Sequence, residues 1–433
     1  MMERRAGRAA LRIGTSVFFW LCPAGAHAQE LRRVTLDEAV QLAWQAHPVA
    51  IAAQVGVDNA ETERLEAMGS FLPSLTLNGV YGNSSNQRFD QSTGRLVSTS
   101  YTAQTQASWE LFSGGRRLAS YRAARAGVDA ADAGLVEARF ETALLATSAF
   151  YAAAAAVELV SVNAQRLARA TQQLVFANTR LDVGTATRSD VLRAELELGN
   201  AELALIDAQS GLRTARLSLG RVMGVAGEVA TVEAVLPIEP PPLPPLDTLA
   251  ARAEQASPVA RSARAAHDAT QASRMSTYAF YLPTLRLNGG YDWFSPTFPP
   301  QTQSWSLRLT ASLPLFNGFQ REANVARLAA AERLAGARAR DATIAARAGA
   351  LNAALLIESE GQRVGIARRA VALAQEDLRV QEERYQISSA TIVELQTSQV
   401  ALADAESAFV RARQALGVAV ATLEAVLGER IGS

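Results

Sequence analysis

The sequence predicts a mainly α-helical chain that also supplies strands to a membrane β-barrel, organised as a duplicated helix-strand-strand-helix repeat. Three observations carry this prediction. The chain matches itself at a nearly constant offset, and four segments alternate apolar and polar residues with period two. Two long runs also hold no proline and few glycines among Ala, Leu, Arg and Glu.

The elements follow in chain order. Arg4, Arg5, Arg8 and Arg12 precede the apolar run Ile13 to Leu21, too short to span a bilayer, and Ala26-His27-Ala28 supplies a small-x-small cleavage pattern. Residues 1–28 therefore read as a signal peptide. Cys22, the one cysteine, leaves with it. The bulky Phe19-Trp20-Leu21 stands where small residues normally precede a lipidated cysteine, so lipid anchoring is the lesser alternative. Beyond residue 28 no thiol is left for a disulfide or a metal.

The repeat is then read by laying the sequence on itself. At an offset of 210, Leu36-Asp37 falls on Leu246-Asp247, Pro48-Val49-Ala50 on Pro258-Val259-Ala260, and Phe71-Leu72-Pro73 on Tyr281-Leu282-Pro283. Past the first strand the offset drops to 204, pairing Leu111-Phe112-Ser113-Gly114 with Leu315-Phe316-Asn317-Gly318, Arg180 with Arg384 and Asp190 with Glu394. The first repeat is 29–228 and the second 246–433. Between them, 229–245 is a connector made stiff and extended by Pro237 and the run Pro240-Pro241-Pro242-Leu243-Pro244-Pro245.

Each copy starts with short helices, the second of each pair at about Val49 to Ser70 and Val259 to Phe280. In the first copy Leu75, Leu77 and Tyr81 then alternate with Thr76, Asn78 and Val80, and Tyr101, Ala103, Ala107 and Trp109 with Thr102, Gln104, Gln106 and Ser108. In the second, Leu285, Leu287, Tyr291 and Trp293 oppose Arg286, Asn288 and Asp292, while Trp305, Leu307 and Leu309 oppose Ser304, Ser306 and Arg308. The segments Ser84–Thr99 and Phe294–Thr302, unequal in length, read as surface loops between paired strands. Alternation alone suits equally a sheet with one face on a soluble core. The helices decide. From about Arg117 to Leu181 and from Gln320 to Tyr385, about 65 residues at ~1.5 Å each make rods near 100 Å, too long for a compact domain. Return helices of about half that length follow, at Ser189 to Met223 and Val393 to Leu427. Alanine runs such as Ala152 to Ala156 let helix axes approach closely, as a wall of lateral helices requires.

Four strands cannot close a membrane barrel, and an open sheet edge in lipid leaves backbone groups unsatisfied. Strands must come from other chains, and three copies would make an even-numbered barrel of 12.

The order and duplication of these pieces resemble the TolC-like outer-membrane efflux family over nearly the whole chain after the signal. The carrying motifs are Phe71-Leu72-Pro73-Ser74-Leu75-Thr76-Leu77 and Tyr281-Leu282-Pro283-Thr284-Leu285-Arg286-Leu287. With them go the strand exits Trp109-Glu110-Leu111-Phe112-Ser113-Gly114-Gly115 and Leu313-Pro314-Leu315-Phe316-Asn317-Gly318-Phe319, and the turn from Arg180 to Leu192. The resemblance implies a homotrimeric outer-membrane barrel continuous with an α-helical periplasmic tunnel. It further implies docking to a periplasmic adaptor (membrane fusion) protein and an inner-membrane pump or ABC transporter, in tripartite efflux or type I secretion. It places the adaptor-contacting tip turns at Gly184 and Thr185 and at Ser388 and Ser389. The constriction falls at Asp190 and Glu394, with Tyr385 bonding to Asp190. The second copy lacks the family's usual turn glycine, and an arginine that shares the latch in some members is Ala390 here. Each carboxylate also suits a solvated charge at a helix start.

Other chemistry finds no footing. All 42 basic residues are arginine, balanced by 42 acids, so no charge excess marks a nucleic-acid binder and no lysine can complete a P-loop. His47 and His267 fall at non-equivalent places, so no metal or other cofactor is expected, and His47 before Pro48 reads as a helix-end residue. No nucleophile motif argues for an enzyme. A trimeric coiled-coil adhesin would need sustained heptads and no duplicated strand pair.

Overall fold

The computed structural model describes residues 31–90, 94–232 and 236–431. The expected signal peptide, 1–28, lies outside the described residues. The first copy holds β1 (Arg32–Val34), α1 (Leu36–Ala46), α2 (Pro48–Gly69), β2 (Ser74–Asp90), β3 (Arg95–Phe112), α3 (Arg116–Asp182) and α4 (Arg188–Val222). After β4 (Val229–Thr231), the second holds α5 (Leu246–Ala256), α6 (Pro258–Thr277), β5 (Thr284–Ser295), β6 (Thr302–Ser312), α7 (Gln320–Gln386) and α8 (Ile392–Leu427).

The two long rods are as expected, each 67 residues. Their buried seams are alanine: Ala146, Ala153, Ala154, Ala155, Ala170 and Ala177 in α3, and Ala346, Ala350, Ala353 and Ala354 in α7. A side chain of one carbon lets neighbouring helices close in along their whole length. An 18-residue window of α3 reaches a mean hydropathy of 1.7 with 33% of it buried, although no continuous apolar run of that length occurs. Helix α3 packs on α1 and α6 near the strands, where Trp44 Nε1 donates to the Arg139 carbonyl at 2.8 Å and Gly134 faces Ser262. Farther along it packs on α4 and α8, through Arg166–Glu197 at 2.8 Å and Arg413–Glu158 at 2.8 Å. His47 separates α1 from α2, with Pro48 in the first helical position of α2, where a missing N–H costs nothing.

The four long strands form one antiparallel sheet in the order β2-β3-β5-β6, so β2 and β6 are open edges. Their side chains are unpartnered: Leu75, Leu77, Leu307 and Trp305 are 72%, 73%, 66% and 75% exposed. One expectation needs correction. Ser84 to Asp90 and Arg95 to Thr99 are strand and not loop: the ladder shifts register between Asn83 and Arg88 and resumes from Arg88↔Val97 to Asp90↔Arg95. The polar run Asn83 to Gln87 hides the period-two pattern, while backbone pairing carries the hairpin onward regardless of side-chain polarity. In the second copy β5 reaches Ser295 and β6 begins at Thr302, close to the expected loop.

The duplication is visible as chemistry. Arg117 donates to the carbonyls of Leu111 and Ser70 and stacks over Phe71; its counterpart Arg321 donates to the carbonyls of Leu315 and Pro314 and stacks over Tyr281. Each arginine pins a strand exit to the start of a long helix. The connector is held too, since Arg413 donates to the Leu236 carbonyl at 2.7 Å and Pro240 lies on Gly361. The parallel pair β1–β4 ties the chain's start to that connector.

Candidate functional site at the helix-hairpin turns

The turn between α3 and α4 and the turn between α7 and α8 are built alike. The Thr185 amide donates to the Arg180 carbonyl at 2.8 Å, and the Ser389 amide to the Arg384 carbonyl at 2.8 Å. Both turns need one left-handed residue. Gly184 supplies it with φ 75° and Ser388 with φ 60°, so the missing glycine leaves the second turn's geometry unchanged. The strand-to-helix turns repeat this, with Phe319 (φ 63°) standing where the first copy has Gly115 (φ 82°). A side chain in that region costs roughly 1–2 kcal/mol, which neighbouring contacts must offset.

Asp190 and Glu394 sit at the third position of α4 and α8, and each closes a capping box. Thr187 donates to Asp190 Oδ2 through its amide and its hydroxyl, both at 2.8 Å, while Thr391 donates to Glu394 Oε2 at 2.6 and 2.9 Å. The carboxylates therefore satisfy orphan helix-start donors. These bonds hold the Glu394 carboxyl below its ordinary range, the Thr391 amide contributing most. Gly184, Thr185, Ser388 and Ser389 are all exposed.

Tyr385 is 5% exposed, in an apolar cluster with Ala177, Val191, Ala194, Leu378, Ile392 and Leu395 that joins the two hairpins. Burial pushes its hydroxyl pKa up; the Arg180 charge opposes this and the Asp190 charge adds to it. Here the structure differs from the expected latch. Among the described residues Tyr385 donates no hydrogen bond to Asp190, whose recorded partner is Thr187. Arg180 makes the link instead. Its guanidinium donates to the Tyr385 carbonyl at 2.8 Å and to Ser388 Oγ, and lies 4.8 Å from the centre of the Tyr385 ring and 6.0 Å from that of Phe176. Arg384, its counterpart, reaches only Gln381 and the Ser389 carbonyl of its own turn. Arg180 was visible in the sequence only as one member of a repeated pair, and Phe176 carried no signal at all. Ala390 packs against the apolar cluster.

Above this cluster lies a cavity of about 230 Å³ lined by Arg169, Gln173, Phe176, Tyr385, Leu395 and Gln399. Gln173 and Gln399 are buried, and Ser398 donates to Asp377. Among the described residues no cluster of three or more His, Cys, Asp or Glu could hold a metal.

Comparison with known proteins gives a consistent result. The family model described as outer membrane efflux protein matches residues 39–225 and 249–429. Protein CyaE of Bordetella pertussis is 28% identical over 219 residues, 51% of this chain, and the chain covers only 45% of that protein's length. Among solved structures, CusC superposes with a TM-score of 0.79 at 16% identity, covering 92% of this chain and 93% of the other. VceC of Vibrio cholerae gives 0.74 at 17% identity over 92% and 96%. The open state of the MtrE outer membrane channel of Neisseria gonorrhoeae gives 0.76 at 20% identity over 92% and 89%. At these identities the structural matches show a shared fold.

Proposed function

The chain belongs to the outer membrane efflux protein family, and from that premise we propose that it is one subunit of a trimeric outer-membrane channel, a passive exit duct for tripartite efflux or type I secretion. The observation that carries the reading is the open sheet. Edges β2 and β6 are unpaired and both sheet faces are exposed, an arrangement that lipid would penalise at several kcal/mol per unsatisfied group unless other copies close it. Three copies supply 12 strands, an allowed barrel. The 67-residue rods, at about 1.5 Å per residue, then extend about 100 Å from the membrane into the periplasm.

In this reading the exposed turns at Gly184, Thr185, Ser388 and Ser389 meet the periplasmic adaptor, and an inner-membrane pump or ABC transporter supplies the energy. Asp190 and Glu394 bring six carboxylates towards the axis of a trimer, and Tyr385 with Arg180 holds the closed tip. Residues 1–28 are removed on export, 29–228 and 246–433 act as the two repeats, and 229–245 joins them. The reading is tested by purifying the chain in detergent and measuring mass and planar-bilayer conductance. Three-subunit particles that conduct support it; a stable monomer with full β-structure overturns it. Tags in 84–99 should be reachable on intact cells, and detection only after the outer membrane is permeabilised would reverse the topology.

A further inference from the structure

The two lateral edges of the protomer differ in charge. Helix α2 exposes Asp58, Glu61, Glu63 and Glu66, with Arg64 as its one basic residue, around the apolar stripe Ile51, Val55 and Leu65. The first half of α7 exposes Arg327, Arg333, Arg338 and Arg340, against the two exposed acids Glu322 and Asp341, around an outward face of Ala323, Ala326, Ala330, Ala337, Leu334 and Ile344. Among the described residues, none of these four arginines pairs with a carboxylate, whereas Arg274 and Arg347 on the inner side pair with Glu332 and Glu254 at 2.6 and 2.7 Å.

The internal repeat says which surface each edge meets. Within the chain α3 packs on α6: Gly134 faces Ser262, and Gly114 is tight against Leu282 and Ala279. Moving the α3 residues forward by 204 and the α6 residues back by 210 gives the matching contact between α7 and the α2 of another copy. Arg338 then falls beside Ala52, and Gly318 beside Leu72 and Gly69. The same antiparallel register brings Arg327 level with Glu63 and Glu66, and Arg333 level with Asp58. Bulky Ile51, Val55 and Leu65 meet alanines. The charge match is absent from the internal seam: α6 is itself basic, with Arg261, Arg264 and Arg274 against Asp268, and the facing stretch of α3 is near balance. Farther along, the same two edges continue as apolar stripes, Leu192, Leu196, Leu203 and Ile206 on α4, and Ile366, Leu373 and Val380 on α7 with Ile387 just past its end, at seven-residue spacing.

We propose that copies of this chain join head to tail through an acidic-on-basic seam, with Asp58, Glu61, Glu63 and Glu66 of one copy set against Arg327 and Arg333 of the next. The seam rests on the trimer reading and adds the surfaces and the register to it. The contact is heterologous, so it must close into a ring or grow into a filament. Opposed charges select this edge pairing and reject a copy meeting its own like-charged edge.

Two measurements test it. Glu63→Cys combined with Arg327→Cys should give a disulfide-linked ladder on a non-reducing gel, with neither single variant doing so. In native mass spectra, E61R/E63R/E66R and R327E/R333E should each cut the trimer population by about tenfold, and the combined variant should recover most of it. Undiminished trimer in both charge-reversed variants, or a combined variant no better than either, overturns the seam, and β-content by circular dichroism separates lost assembly from lost folding. A wild type of another subunit number whose charge-reversed variants still rescue one another would retain the seam and reject the trimer. A monomeric wild type would reject both.

Discussion

Arg180→Ala is the perturbation whose outcome the structure constrains most. The guanidinium joins the first hairpin to the second through the Tyr385 carbonyl at 2.8 Å, Ser388 Oγ and the face of the Tyr385 ring, and it also lies 6.0 Å from the centre of the Phe176 ring on its own helix. A hydrogen bond from a charged group is worth about 1.5–3 kcal/mol, and partial exposure argues for the lower end. Stacking on the ring adds about 0.5–1 kcal/mol. The link therefore contributes about 2–3 kcal/mol per chain, roughly a 30- to 150-fold change in the local opening equilibrium. Amide hydrogen exchange on detergent-solubilised protein should show that loss at Ser388 and Ser389, together with a higher open probability in planar bilayers. Circular dichroism should be unchanged. Arg384→Ala is the control, because its side chain reaches only its own turn; it should loosen 387–391 without affecting open probability. Equal effects of the two variants, or none from Arg180→Ala, would refute the argument that this cross-hairpin link holds the tip.

Three further outcomes follow from the same geometry. Tyr385→Ala should cost about 3–5 kcal/mol of local stability by opening the buried cluster, whereas Tyr385→Phe keeps the ring and should move conductance far less, read as single-channel current. Because folding holds the Glu394 carboxyl below its ordinary value, the cap it makes with Thr391 is fully stabilising above that value and is lost as pH falls through the depressed one. Exchange at the Glu394 amide should therefore rise in acid, once corrected for intrinsic rate, and Glu394→Gln should flatten that response. Gly417→Ala should destabilise the folded chain by about 1–3 kcal/mol in thermal melts, since the added carbon would lie 2.7 Å from the Tyr151 ring.

What the sequence determined by itself was local or repeated. Helix lengths were legible because a proline-free alanine-rich run can only be one rod, and the strands because side-chain period follows directly from backbone geometry. Thr187 with Asp190, and Thr391 with Glu394, carry the i, i+3 signature of a capping box, so a helix-start role for each carboxylate was open to reading. The duplicated strand exits were equally plain, and the structure supplies their reason in the paired arginines Arg117 and Arg321. Tertiary structure alone decided the rest. Arg180 and Tyr385 lie 205 residues apart, and nothing in either segment names the other. The family's latch suggested a bond from Tyr385 to Asp190; among the described residues no such bond is made, and Thr187, three residues away, donates twice to Asp190 Oδ2. The hairpin's extension to Asp90 was likewise hidden, because a strand paired through its backbone needs no apolar alternation to persist. Local chemistry is written along the chain; which distant groups meet depends on how two rods of equal length pack, and differences between the copies, Ser388 for Gly184 and Tyr385 for Leu181, set where they hold each other.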